Sequence, residues 1–498
     1  MRNSRLPALC LAAAPLLLLA ACAVPRPPAE VAAPMPAQWQ TPLPAGTAAL
    51  PHGGSMPTLA EWWRQLHDPL LVELIQAAEA ASPTVASAAA RIGEARASRV
   101  AAGAALVPNL DGSLSASRGN SPSSGFSSTP TTGGSTSIPP ITTLQAGLQS
   151  SWEIDLFGGL RANRDATQSR FAGADARWHD ARVSVAAETA NAYLAERACR
   201  RQLVVSTSDA RSRAETARLT ELSARAGFTA PADAALARAS AAEAANRLTQ
   251  QRALCLVQQQ GLVALTGIEG PLLAAKLEAA PIDVDLPAVQ AVYSVPADAL
   301  AQRPDVYAAE LDVAAASAEA GAALAQRFPK LGLQGSIAAL QIRGGGLRES
   351  LDTWTIGPLA LTVPIFDAGT RAANVEAAEG RYDEAVSLYR ASVRRAVREV
   401  EEALINLQGT ADRAADADTA VRNYQISLDA TQARFDTGLA SLFDLEDARR
   451  TLFVSQTARV ALQRERAEAW VSLYRAMGGG WTRPESLAST APIATPSP

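Results

Sequence analysis

The 498-residue chain is long enough for two or three domains, and a formal charge of -4 gives no electrostatic reason to expect a nucleic acid partner. Three histidines and four methionines leave little for a metal site, and no HExxH, CxxC or GxGxxG stands in a supporting context, so neither cofactor nor catalytic constellation is expected. Abundant alanine with 5% aromatics suits long helices packed closely.

Arg2 and Arg5, about eleven mostly apolar residues from Leu11 to Ala21, and small residues before Cys22 make the layout of a secretory signal. A spanning helix needs roughly twenty apolar residues, so residues 1–21 are expected to be removed. "LAAC" resembles the lipobox of bacterial lipoproteins, which makes Cys22 the lipid attachment site. The other reading is an ordinary signal that leaves Cys22 as a thiol. By the same resemblance, Ala23 in place of Asp favours the outer membrane over the inner one. Residues 22–60, rich in Pro and Ala, read as an extended tether. No later segment offers eighteen consecutive apolar residues, so a membrane crossing must use β-strands.

The chain then repeats itself. Pro83 matches Pro304 and Pro108 matches Pro329, both at an offset of 221; Phe157 in "IDLFGG" matches Phe366 in "PIFDAG" at 209; Phe171 matches Tyr382 and Gly227 matches Gly438, both at 211. Residues 61–270 form the first copy and 296–480 the second, joined by a linker at 271–295 and followed by a disordered tail at 481–498. Each copy reads as helix, β-hairpin, long helix, turn, long helix. The early helices are placed at Leu70–Ala105 and Ala297–Gln326. The strands are placed at about 110–118, 144–156, 331–342 and 354–366. In the second of these, Ala146, Leu148, Ser150, Trp152, Ile154 and Leu156 alternate with Gln145, Gly147, Gln149, Ser151, Glu153 and Asp155. That is the pattern of a strand with one face in an apolar medium and one in water. Trp152 and Trp354 suit an interfacial aromatic belt or a buried strand position.

Two helix hairpins, 159–266 and 369–477, follow the strands. Each long first helix covers some 67 residues, roughly 100 Å, with heptad rows such as Tyr382, Tyr389, Ala396, Ala403 and no proline to interrupt it. The return helices are half as long, so each early helix is expected to continue a return helix alongside the other half of the long one. If the first hairpin turns near Gly227, Cys199 and Cys255 lie level on adjacent antiparallel helices, and in an oxidising compartment a disulfide between them is expected. Two buried thiols at heptad positions are the alternative. The matching residues of the second copy are Thr410 and Arg466.

Four strands cannot close a barrel, and open edges are not tolerated in lipid, so closure must come from several chains. Two chains give eight strands with a filled interior; three give twelve, enough for a lumen.

The internal repeat, "LVPNL" and "RFPKL" before the strands, "IDLFGG" and "PIFDAG" after them, and the turn "FDTGLASLFDLEDARRTLF" resemble the TolC-like outer membrane factors of tripartite (RND-type) efflux systems, in their lipoprotein (NodT-type) branch, over roughly residues 60 to 480. The resemblance implies a mixed α and β fold: a homotrimeric 12-stranded transmembrane β-barrel, four strands per chain, continuous with a long periplasmic α-helical coiled-coil barrel. It implies a passive, non-enzymatic duct for small toxic compounds in the outer membrane. Its partners would be a periplasmic adaptor protein, an inner-membrane RND-type pump and outer membrane lipid. It places a periplasmic gate at Asp444 and Asp447, and adaptor contact at the turns Gly227–Asp233 and Gly438–Asp444, with Gly227, Phe228, Gly438 and Leu439 at their tips. Asp444 also fits a capping role after Ser441. Asp447 has no such role, since its first-copy match is Leu236. The family often has a basic residue two places after the turn glycine, where Ala440 stands here. Competing readings are an exit duct for secreted polypeptides, which the lipid anchor disfavours, and a structural periplasmic coiled-coil lipoprotein, which the one-sided apolar strands disfavour.

Overall fold

The computed structural model describes residues 24–40, 63, 67–120, 140–282, 300–344, 347–481 and 483–484. Cys22, residues 1–21, part of the linker and most of the tail lie outside these residues. Among them the helices are α1 (Pro69–Ala81), α2 (Pro83–Ala104), α3 (Gly159–Arg225), α4 (Pro231–Thr266), α5 (Gly270–Ala279), α6 (Pro304–Ala325), α7 (Thr370–Asp436) and α8 (Leu442–Ala476). The strands are β1 (Asn109–Gly119), β2 (Ile141–Ile154), β3 (Lys330–Gly344) and β4 (Leu347–Thr362). No helix among the described residues is long and apolar enough to cross a membrane.

Several boundaries differ from the sequence expectation, and proline chemistry accounts for most of them. The early helix expected at Leu70–Ala105 is two helices, because Ser82, held extended at ψ 120° ahead of Pro83, cannot continue α1. Likewise the early helix expected at Ala297–Gln326 is interrupted: Leu300 and Ala301 are helical, the chain turns at Gln302 and Arg303, and α6 starts at Pro304, while residues 297–299 lie outside the described residues. Residues 271–295, expected as a linker, open with α5: Pro271 sits in the first turn, where its missing N–H costs nothing, and Leu273 and Leu277 are buried. Strand β4 was expected at 354–366 but runs over Leu347–Thr362, since Arg343↔Arg348 and Gly344↔Leu347 still pair near the hairpin end while Pro364, beyond Thr362, has no N–H to offer a ladder. Strand β2 starts at Ile141 and stops at Ile154. Asp155 then turns back to accept hydrogen bonds from the Leu160 and Arg161 amides at 3.2 and 2.9 Å, which starts α3.

The sequence repeats are not the compact units. One unit draws on Met1–Ala32, Ile92–Ala174 and Ala309–Leu388, the other on Ala33–Arg91, Asp175–Ala308 and Tyr389–Pro498, so both repeats contribute to each. The first unit holds the sheet, whose strands pair antiparallel in the order β1-β2-β3-β4 and leave β1 and β4 as its edges. Its described N-terminal stretch is extended but docked: Arg26 pairs with Asp165 at 3.4 Å, and Pro28 accepts a hydrogen bond from the Tyr382 hydroxyl at 2.9 Å.

The second unit holds the main core, where Trp63, Leu71 and Leu74 meet Tyr193, Leu262, Leu404, Leu407, Trp470 and Tyr474, with Trp63 at 4.5 Å from Tyr474 and 5.6 Å from Trp470, ring centroid to centroid. Asp68 caps α1, and its second carboxylate oxygen takes the Tyr193 hydroxyl, which ties α1 to α3; burial pushes that phenol's pKa well up. Return and early helices abut, as expected. The end of α4 at Gly267 meets Ala81 just ahead of α2, while Arg303 ahead of α6 donates to the Ala476 carbonyl at the end of α8 at 3.0 Å. Arg303 also binds Asp305 and Glu399, each at 2.8 Å.

Candidate functional site

The sheet is two-faced, and its register shows how. Residues directly opposite one another share a face. Leu148 stands between Gly112 and Ile337, and Ile337 pairs with Trp354; Trp152 pairs with Leu333, and Leu333 with Leu359. That face carries Leu110, Leu114, Ile154, Leu331, Ile356 and Leu361 as well. The opposite face carries Asn109, Asp111, Ser113, Ser115, Gln145, Gln149, Glu153, Ser336, Thr353 and Thr355, with the Ser336 and Thr355 hydroxyls 2.8 Å apart and Lys330 at 3.5 Å from Glu153; toward the far end of β3 and the start of β4 the contrast fades, with Leu340 and Leu351 paired on this face and Gln341 and Asp352 on the other.

The alternation of β4 appears broken in sequence: Trp354 and Ile356 are even, Leu359 and Leu361 odd. A register shift at Leu333/Gly335 resolves it, because Gly357 and Pro358 together oppose Gln334 and the extra residue returns the leucines to the apolar face. Pro358 has no ladder N–H to lose. Trp354 is 72% exposed on this face, whereas Trp152 is half-buried and donates its indole N–H to the Leu106 carbonyl at 3.0 Å. Within the sheet and just past it, the large exposed apolar side chains lie mostly on the edge strands and the segment after β4: Leu110 67%, Leu114 85%, Ile356 83%, Ile365 93% and Phe366 89%.

The helix tips lie in the other unit and share one geometry. Helix α3 ends with the Phe228 amide bonded to the Ser223 carbonyl at 2.9 Å, and α7 with the Leu439 amide bonded to the Arg434 carbonyl at 2.7 Å. Gly227 and Gly438 supply the left-handed residue this closure needs, at φ +84° and +76°. Phe228 and Leu439 project from the tips, 86% and 72% exposed. After the second tip, Ser441 and Asp444 form a full capping box, at 3.1 Å from the Asp444 amide to the serine hydroxyl and 2.9 Å from the Ser441 amide to the carboxylate. The Ser441 hydroxyl and amide hold the Asp444 carboxyl below the usual carboxylate range. Asp447, one turn on, pairs with Arg450. Both carboxylates are exposed, on the face opposite buried Leu442, Leu445 and Arg449.

Between them in sequence, Glu446 turns the other way into a cluster that sequence reasoning missed. Arg213 and Arg449 both bind its carboxylate, Arg449 at 3.1 Å, and the Ser240 hydroxyl donates to it. Arg213 also holds Asp209 at 2.8 Å, while Arg449 reaches Thr216 at 2.7 Å and Gln432 at 2.9 Å. One carboxylate thus ties α8 to both helices of the first hairpin. The only signal in the sequence is the i,i+3 and i,i+4 spacing of Glu446–Arg449 and Asp209–Arg213. Cys199 and Cys255 do lie level, Cα atoms 5.6 Å apart with their sulfurs joined, and Gln251 donates to the Cys199 sulfur at 3.1 Å.

The family model for outer membrane efflux proteins matches residues 74–268 and again 295–479, one match per repeat. The chain belongs to that family. This efflux protein is 32% identical over 491 residues to the pyoverdine export outer membrane protein OpmQ of Pseudomonas putida, covering 95% of this chain and 97% of the relative. It is 31% identical over 489 residues to the solvent efflux pump outer membrane protein SrpC of Pseudomonas putida, covering 94% and 97%. Among solved structures, the outer-membrane channel OprN superposes with a TM-score of 0.76 at 26% identity, covering 91% of this chain and 99% of that one. The Campylobacter jejuni outer membrane channel CmeC shares the fold, with a TM-score of 0.76 at 22% identity over 90% and 96% of the two chains.

Proposed function

We propose that three copies of this efflux protein close into a twelve-stranded barrel above a helical tube, and that the assembly is the passive outer membrane duct of a tripartite pump. The observation that carries this reading is the four-stranded sheet with one apolar face, one polar face and two unpaired edges. An open edge costs several kcal/mol per unsatisfied group in lipid, and three copies give a lumen lined by the polar face. A periplasmic adaptor, itself joined to an inner-membrane pump, docks on the exposed tips around Gly227, Phe228, Gly438 and Leu439, and Cys22 carries the lipid anchor. Asp444 and Asp447 ring the periplasmic constriction, where carboxylates from three chains favour cations; Asp444 does this while also capping α8. The Cys199–Cys255 bond is kept oxidised in the periplasm, which intact-mass analysis with and without reductant reads directly. The duct performs no chemistry of its own. Its cargo is small molecules, the class named for relatives that export pyoverdine or solvents.

Deleting the gene should raise susceptibility to at least one member of a panel of dyes, solvents and antibiotics, and the full chain should restore it. Unchanged susceptibility throughout, with a secreted polypeptide retained instead, contradicts the small-molecule reading.

A further inference from the structure

The two repeats make the same junction twice, but a single chain completes it only once. Where the first repeat leaves its strand, Phe157 stacks on Phe328 at the start of the second repeat's hairpin, with ring centroids 4.9 Å apart, and Leu156 and Phe157 are half-buried. Their equivalents in the second repeat, Ile365 and Phe366, are 93% and 89% exposed. The residue equivalent to Phe328 is Val107, at the offset of 221 that relates the two strand starts, and it is 58% exposed. Each half of the missing junction is therefore present, on opposite edges of the sheet, and a second copy of this chain supplies the other half.

We infer that β4 of one protomer pairs with β1 of the next in the register that β2 and β3 use within the chain. This rests on the trimer reading above and adds its residue-level geometry. Inside the chain, Trp152 opposes Leu333 and Ser150 opposes Gly335. Carried over by the repeat offsets, Leu361 opposes Gly112 of the partner subunit, Ala360 opposes Ser113 of the partner subunit, and Leu359 opposes Leu114 of the partner subunit. Phe366 then packs on Val107 of the partner subunit.

Two independent conditions are met. The first is facial. Leu359 and Leu361 lie on the apolar face, as do Leu114 and Gly112, so this register continues both faces of the sheet unbroken across the subunit boundary; a slip of one residue would invert them. The second is closure. Following direct partners from Leu110 through Ser150, Gly335 and Ile356, and across the boundary with the bulge counted, leads to Ala116 of the partner subunit, a climb of about six residues per protomer. Three such steps around twelve strands give a tilt of about 45°, at the top of the range for membrane barrels. A climb two residues larger gives about 55°, outside that range. A climb two residues smaller also fits the tilt, and there the internal template decides. The pairing within each hairpin cannot serve as that template, since Asn109 pairs with Ser151 while Lys330 pairs with Thr362, two residues beyond the matching position.

Full-length protein in outer membranes carrying Ala360→Cys can be combined in turn with Asp111→Cys, Ser113→Cys or Ser115→Cys, oxidised with diamide and run on non-reducing gels after heating. The expected result is a covalent trimer for most chains with Ser113→Cys, and at least tenfold less with either neighbour. Predominant cross-linking through Asp111→Cys or Ser115→Cys overturns the register, and so does its absence from all three variants when native mass spectrometry still gives trimers. A native mass of one or two chains for the uncross-linked protein removes the trimer itself, and the register with it.

Discussion

The two helix hairpins start from the same plan and are held by different means. Each begins with a 67-residue helix and ends in the same glycine closure. The first carries a disulfide between Cys199 and Cys255, and α4 starts at Ala230–Pro231 with no side-chain hydrogen bond at its cap. In the second, Thr410 and Arg466 stand where the cysteines would be, α8 starts on the Ser441–Asp444 box, and the hairpin docks on the first through the carboxylate of Glu446. The two repeats share helix length and turn geometry but not the covalent tie or the cap. Both hairpins share the apolar core, so the difference lies toward the tips, where the first has a covalent tie and the second a capping box and the Glu446 cluster. The residues proposed to ring the constriction, Asp444 and Asp447, are on the second.

That contrast can be broken most severely at the disulfide. Replacing both Cys199 and Cys255 by Ser should cost about 4 kcal/mol for a closed loop of this length, lowering the melting temperature and exposing the first hairpin to protease; an unchanged melt would remove the bond from the account. Next comes Glu446→Ala, which strands two guanidinium groups in a buried site and should cost about 3 kcal/mol. Hydrogen exchange should rise in α8 and leave the closing turn at Gly227 unchanged, while equal loosening of both hairpins would deny the asymmetry. Ser441→Ala should cost about 1 kcal/mol by removing an N-cap, seen as fraying of the first turn of α8 alone. The smallest effect is acid dependence at the same turn. The Asp444 carboxyl is held below its ordinary value, so the cap is complete above the unfolded carboxylate range and is lost as pH falls through the depressed folded value. Protection of the Leu445 amide, measured against its intrinsic exchange rate at each pH, should therefore fall in acid, with no matching change at Ala234.

Periodicity and proline placement made most of this architecture readable in the sequence. The long helices fall where heptad rows run without proline, and the sheet's two faces follow from strict alternation in β2. What stayed hidden depended on pairing between distant segments. The parity break in β4 makes sense only once Gly357 and Pro358 are seen opposite Gln334. Glu446 reads in sequence as one more acid near a helix start, and nothing local tells it from Asp447; its role comes from Arg213, 233 residues away. Counting from a turn is enough to bring the two cysteines level, because facing residues of antiparallel helices keep a constant sum of numbers. The N-terminal stretch reads as an extended tether and is extended, but its docking through the Arg26–Asp165 ion pair and the Pro28 carbonyl depends on partners far along the chain that composition does not reveal.

Single-channel recording in planar bilayers decides whether the assembly is a passive, gated, cation-favouring duct. The wild-type chain should give stepwise conductance with a reversal potential displaced toward cations, and Asp447→Ala should increase the conductance and reduce that displacement. Conductance indistinguishable between the two proteins would contradict the gate, and the absence of conductance in both would contradict the duct.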